Sequence, residues 1–149
     1  AKGRLPAEDL AAHTETEKEH KCCPTLALAH ARKFNGYPYH WGGCSAYLPE
    51  AGIVTSVDCS GLVHLAYRVA GVNLPRDARD QHKVVQSADF GELEEGDLLF
   101  VAPADRPEAI DHVMFYSGNG NVLEATMSHG KVREGSFHEK YAHGGFKVY

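Results

Sequence analysis

The first half of this 149-residue chain has helical spacing and the second half has short apolar runs, which together predict an α+β domain with N-terminal helices packed on a C-terminal antiparallel sheet. The helical evidence is clearest from Asp58 to Ala70, where Leu62, Val63, Ala66, Tyr67 and Ala70 recur on one face and Gly71 follows as a left-handed stop. Pro24 to Phe34 is rich in helix formers, opens with Pro and is followed by Asn35-Gly36, so a second helix is expected there. Pro75-Arg76-Asp77 can open a third, running to about Val85, because Pro suits a first turn and Asp suits its positive end. Beyond Gly91 the pattern changes. Leu98 to Val101, His112 to Tyr116, Asn121 to Ala125, Lys131 to Glu134 and Gly145 to Tyr149 are strand-like runs divided by Gly, Pro and Asn. Tyr37 to Val57 is aromatic and aperiodic and reads as loop.

Composition narrows the function classes. Lys and Arg number 15 against 20 Asp and Glu, a formal net charge of -5, which offers no basic field for nucleic acid or anionic lipid. No apolar run approaches the roughly 20 residues needed to span a bilayer, so membrane insertion is not expected. Residues 1–21 are polar and read as a leader or linker remnant, with the folded domain assigned to 22–149 and its first helix beginning near Pro24. Cys22, Cys23, Cys44 and Cys59 have no spacing that marks a disulfide framework or a zinc site, and no metal or cofactor is expected.

Asp58-Cys59-Ser60-Gly61 is the segment with the most chemistry in it. A thiol at a helix start feels unpaired N–H groups and the positive dipole end, which favour thiolate and nucleophilic attack. Gly61 keeps a side chain out of its surroundings. A nucleophilic cysteine also needs an imidazole, and among ten histidines His112 stands out because it opens an apolar strand where a polar group demands a reason. The competing readings are a packed structural cysteine and a structural histidine. His13, His20, His138 and His143 lie in polar segments, and His64 and His82 lie on helices.

In order along the chain stand Pro38-Tyr39-His40-Trp41-Gly42-Gly43, Asp58-Cys59-Ser60-Gly61-Leu62-Val63 and Leu74-Pro75-Arg76-Asp77 with Gln81. Gly96-Asp97-Leu98-Leu99-Phe100, His112-Val113 through Tyr116 and Gly118, and Val122-Leu123-Glu124-Ala125 complete the series. Over about residues 25 to 149 this resembles the NlpC-type bacterial cell-wall peptidases, small papain-like cysteine enzymes. The resemblance implies that Cys59 is the nucleophile and His112 its base, and that Tyr39 helps bind an oxyanion. It places Asp58, Ser60, Arg76 and Asp77 at the substrate, Asp77 pairing with the ammonium of a free L-Ala-γ-D-Glu amino terminus. Core packing is the alternative for Tyr39 and the stronger one for Trp41, and helix initiation with a local ion pair is the alternative for Arg76-Asp77. The implied reaction is hydrolysis of peptidoglycan stem peptides after γ-D-glutamate, before diaminopimelate or lysine, through an acyl-thioester. A catalytically silent peptide-binding module, and a papain-like amidase or acyltransferase on another substrate, are the rival functions. The setting implied is the bacterial cell envelope or secretion, with cytoplasmic cell-wall recycling as the alternative, and an SH3-like domain completing the pocket would have to precede residue 1.

Three departures accompany the resemblance. The Cys44 to Val57 stretch is long, Ala78 stands where a serine often follows the Asp, and Glu124 occupies a position usually held by His and sometimes by Asn or Gln. A carboxylate can orient an imidazole. Strand parity sets the condition: a plain two-residue Asn119-Gly120 turn puts His112 and Glu124 on opposite faces of the hairpin. A five-residue Tyr116 to Gly120 connection or a β-bulge puts them on the same face, so one of these is expected if Glu124 orients His112.

Overall fold

The computed structural model describes residues 2–4, 17–44, 56–142 and 144–149. Most of the polar leader, the body of the long loop (45–55) and His13 and His143 lie outside the described residues. In chain order the elements are β1 (Lys2–Arg4), α1 (Glu17–Arg32), α2 (Cys59–Val69), α3 (Ala78–Val84), β2 (Gln86–Ala88), β3 (Leu98–Pro103), β4 (His112–Gly118), β5 (Asn121–Thr126), β6 (Lys131–Ser136), α4 (Phe137–Tyr141) and β7 (Phe146–Val148). The strands form one antiparallel sheet in the order β2-β1-β3-β4-β5-β6, with β7 also pairing with β3. This is the α+β arrangement expected from the sequence.

The sheet is covered on both sides, which explains why Leu98 to Val101 is a continuous apolar run rather than an alternating one. Leu98, Phe100, Val113, Phe115, Leu123 and Val132 pack under α1 and α2 against Ala27, Leu28, Leu62, Val63 and Tyr67. Leu99, Val101, Met114, Val122 and Tyr141 form a smaller cluster on the opposite face, flanked by Phe137 and Val148. α2 is the central helix. Its side chains Leu62, Val63, Ala66 and Tyr67 are buried, and the Tyr67 ring stacks on Phe115 with centroids 5.9 Å apart. It stops at Gly71, where φ is +90°, as its left-handed cap required.

The first helix differs from its expected bounds. α1 begins at Glu17, so Pro24 lies inside it rather than opening it. Pro24 has no N–H and leaves the bond to the carbonyl four residues back unmade, a loss that packing of the helix on the sheet offsets. The Pro24 carbonyl meets Gly96, the residue that feeds the chain into β3: a Cβ there would lie 2.3 Å from the Pro24 oxygen. Further differences are the short β1 and β2, which pair with each other, and α4, whose helix is only five residues long. Elements this short have too few residues for periodicity to register. Part of the expected loop is also ordered by pairing, since Gly36 and Tyr39 donate to the Val132 and Gly130 carbonyls and Val132 donates back to Tyr37.

Gly96 combines a left-handed φ of +96° with that close approach. Gly96→Ala is therefore expected to lower unfolding free energy by about 2 kcal/mol or more. Gly91→Ala, at a site with open space around it, should change stability by less than about 0.5 kcal/mol in the same urea titration.

Candidate active site

Asp58 builds the first half of the site. It takes the N-cap position of α2, and its Oδ1 accepts the Gly61 amide at 2.7 Å. The other carboxylate oxygen accepts the Gly42 amide at 3.0 Å. Arg76 then grips both oxygens, with Nη1 and Nη2 each at 3.0 Å, and reaches on to the Ser60 hydroxyl at 3.0 Å and the Gly43 carbonyl at 3.2 Å. The Asp58 hydrogen bond and burial, acting in opposite senses, leave the Arg76 guanidinium with its pKa raised. Gly61 is demanded by this packing, because a Cβ on it would sit 2.3 Å from the Gly43 carbonyl. Gln81, fully buried on α3, donates to the Ser60 and Pro75 carbonyls at 3.1 and 2.9 Å and ties the two helix starts together.

Cys59 is thereby held at the first position of α2, where its own N–H has no partner within the helix. Its Sγ lies 3.9 Å from the Asp111 carbonyl, directly before His112 at the start of β4. The thiol is near enough to the His112 imidazole to help raise its pKa. His112 Nε2 lies 2.6 Å from Glu124 Oε2, which leaves Nδ1 as the ring nitrogen for the sulfur.

The hairpin that brings His112 and Glu124 together uses a bulge. Asn119 and Gly120 form a two-residue turn with φ of +54° and +75°, and Gly118 faces Asn121 across it. Continued unbroken, that register would send the two side chains to opposite faces. The ladder shifts between Tyr116 and Gly118, with Ser117 as the extra residue, so that Tyr116 faces Val122 and Phe115 faces Leu123. Glu124 consequently falls opposite Met114, diagonal to His112 on the same face.

Glu124 is wholly buried and has further partners that sequence reasoning missed. Lys140 Nζ and Arg133 Nε donate to its Oε1 at 3.1 and 3.2 Å, and the Tyr141 hydroxyl donates to Oε2. Arg133 faces Glu124 directly in the β5–β6 ladder, a pairing that a four-residue turn over 127–130 would have revealed. Burial alone would raise the Glu124 pKa, but the bond to His112 and its charge, with Tyr141 and Lys140, bring it down to about 2. Burial alone would lower that of His112; its interactions with Cys59 and Glu124 outweigh it and lift it to about 9.

A cleft of about 500 Å³ opens beside Cys59, lined by Trp41, Ser60, Asp77, Arg79, Ile110 and Asp111 among others. Trp41 is 77% exposed on this rim, which corrects its assignment to the core: Gly42 at φ +77° turns the chain there, and the ring is left over the cleft. Tyr39 packs partly against the main core, and burial, then the nearby Cys59 and Asp58, raise its pKa. Asp77 begins α3 without using its side chain as a cap, so its exposed carboxylate is free to face a ligand. Asp80, beside it, is paired with Lys83 at 3.0 Å. Cys44 and Cys59 are free thiols. No three of His, Cys, Asp and Glu among the described residues converge as a metal-ligand set, and no described helix is long and apolar enough to cross a membrane.

The pair has a definite signature in stability. The folded-state pKa of His112 is raised above its ordinary 6.5, so its contribution is complete below pH 6.5 and is lost as pH rises through about 9. The pKa of Glu124 is lowered below its ordinary 4.5, so its contribution is complete above pH 4.5 and is lost as pH falls through about 2. Urea midpoints are therefore expected to decline between pH 6.5 and 9, and His112→Gln should remove much of that decline.

Residues 36–147 match the NlpC/P60 family model. The bifunctional muramidase/DL-endopeptidase CwlT of Bacillus subtilis is 39% identical over 101 residues, covering 68% of this chain and 29% of its own length. The peptidoglycan endopeptidase RipB of Mycobacterium tuberculosis is 40% identical over 102 residues, 65% of this chain and 41% of its own length. The solved structure of RipB superposes with a TM-score of 0.72 at 30% identity, covering 89% of this chain and 67% of that one. A γ-D-glutamyl-L-lysine dipeptidyl-peptidase of Bacillus subtilis is 37% identical over 92 residues, 62% of this chain and 28% of its own length. This chain thus spans well under half the length of these curated relatives.

Proposed function

Because this chain belongs to the NlpC/P60 family, we propose that it is a cysteine peptidase that hydrolyses bacterial peptidoglycan stem peptides, at the bond from γ-linked D-glutamate to diaminopimelate or lysine. The reading rests on one observation: the Cys59 thiol at the first turn of α2 lies against the Asp111 carbonyl, directly before a His112 imidazole that Glu124 holds from its far side, beside an open cleft. The relatives are a DL-endopeptidase, a peptidoglycan endopeptidase and a γ-D-glutamyl-L-lysine dipeptidyl-peptidase, which supports this substrate class and action at the cell envelope or outside the cell.

The Cys59 thiolate attacks the γ-carbonyl carbon and forms a C–S bond. The developing oxyanion is met by the backbone N–H of Cys59 and the Tyr39 hydroxyl. Collapse breaks the C–N bond as imidazolium at His112 passes its proton to the leaving amine, and an acyl-thioester remains. Neutral His112 then takes a proton from water as the water attacks the thioester. The carboxylic acid leaves and the thiolate–imidazolium pair returns.

Ser60 and Asp77 line the part of the cleft that takes the amino-terminal part of the substrate, with Arg76 behind them holding Ser60 and Asp58. Asp58 acts there through Arg76, since its own carboxylate is filled by internal donors. Asp77 supplies the free carboxylate for a substrate ammonium.

Cys59→Ala is expected to abolish release of the diamino-acid product from purified peptidoglycan, read by mass spectrometry, and His112→Ala should lower turnover at least about a hundredfold while the fold persists. An unchanged fragment pattern in Cys59→Ala would refute the nucleophile. Acetylating the amino terminus of an L-Ala-γ-D-Glu stem peptide should reduce kcat/KM by about tenfold or more, because a charge-assisted hydrogen bond to Asp77 is lost. Asp77→Asn should show a smaller penalty for the same acetylation.

A further inference from the structure

A buried carboxylate is a difficult partner for a histidine that must gain and lose a proton. When the imidazole becomes neutral, an isolated carboxylate is left charged in a site without water, and that cost makes the histidine hold its proton too tightly. An amide in the same place carries no charge and brings no such cost. Glu124 is fully buried, so this chain must manage its charge.

The surrounding groups have the required chemistry. Each carboxylate oxygen is served from a different side: Oε2 by His112 and the Tyr141 hydroxyl, and Oε1 by Lys140 and Arg133. Lys140 is fixed in turn by the Thr126 hydroxyl at 2.7 Å. The Tyr141 ring also stacks on that of His112, with centroids 6.1 Å apart and planes at 22°. Tyr141 therefore restrains the carboxylate and the imidazole together. Both α4 donors come from a helix whose start is capped by Ser136, which accepts the Glu139 amide. The charged and titratable groups around Glu124 are His112 from β4, Arg133 from β6, Lys140 and Tyr141 from α4, and His129 from the β5–β6 turn.

We propose that Tyr141, Lys140 and Arg133 are positioning residues that share the charge of Glu124, keeping it ionised and aimed at His112 Nε2 while His112 alternates between imidazolium and imidazole. The inference rests on the reading of Cys59, His112 and Glu124 as the reacting set, and it adds a role for α4 and β6 in how readily His112 gives up its proton. Removing a donor leaves more negative charge on Glu124, so His112 is held protonated to higher pH and becomes a weaker acid toward the leaving amine. His129 stands on the turn near the same groups, and His129→Gln serves as the control for a nearby substitution that removes no bond to the carboxylate.

The test is an NMR titration of His112 in the whole chain, its resonance assigned by its loss in His112→Gln. Lys140→Met and Tyr141→Phe are each expected to move the His112 midpoint upward by about half a unit, a roughly threefold change in proton affinity. Turnover of a stem peptide should fall about tenfold in kcat with little change in KM. Lys140→Arg, which keeps the cation, should retain the wild-type midpoint, as should His129→Gln. In a Glu124→Gln background, Lys140→Met should move the midpoint by less than half as much. A midpoint in Lys140→Met and Tyr141→Phe that coincides with the wild type or moves downward overturns the proposal. So does an equal shift in the Glu124→Gln background, because the donors would then be acting on His112 without the carboxylate. The titration needs no substrate, so a wild-type protein that leaves stem peptides intact refutes the proposed substrate while the clamp is still judged by the midpoints.

Discussion

The carboxylate of Asp58 is the point from which the site is assembled. It caps α2, receives the Gly42 amide and is gripped by both terminal nitrogens of Arg76. An N-cap alone is worth about 1 kcal/mol, and a bidentate guanidinium adds direction that a single charge lacks. Three separated pieces of chain are joined at one side chain: the Gly42-Gly43 turn, the start of α2 and the approach to α3. Cys59 follows Asp58 directly, so whatever fixes the cap fixes the sulfur.

The second constraint is carried by the sheet. His112 and Glu124 belong to adjacent strands, and their meeting depends on one extra residue in β4 at Ser117. The bulge corrects the parity that the tight Asn119-Gly120 turn would impose. It lies several residues from the His112 end of the strand, yet it decides the face that both side chains share. The two halves of the site then meet because the start of α2 lies over the start of β4, with the Cys59 sulfur against the Asp111 carbonyl.

Charge is distributed unevenly between the halves. At Asp58 a carboxylate is balanced by Arg76 and backbone donors, and at Glu124 by Lys140, Arg133 and a phenol. Burying either without partners would be costly, since an uncompensated charge in a protein interior is among the more destabilising features a fold can carry. Asp77 is different, because its carboxylate faces the cleft with no helix amide on it. Of the three carboxylates, this is the one the fold leaves open to the cleft.

Much of this was local and so was legible in the amino-acid order. The helix that starts at Asp58-Cys59, the small side chain at Gly61, the stop at Gly71 and the unbroken apolar run from Leu98 each follow from neighbours within one turn or one strand. Even the parity condition on His112 and Glu124 could be written down beforehand, although the choice between a longer loop and a bulge could not. What the sequence alone did not reveal depends on contacts between distant segments: Pro24 tolerated within α1, Trp41 turned out to the cleft instead of into the core, and Arg133, Lys140 and Tyr141 gathered on Glu124. A side chain's local preferences set its backbone, but its partners are set by packing and register, and those are properties of the closed sheet with its helices in place.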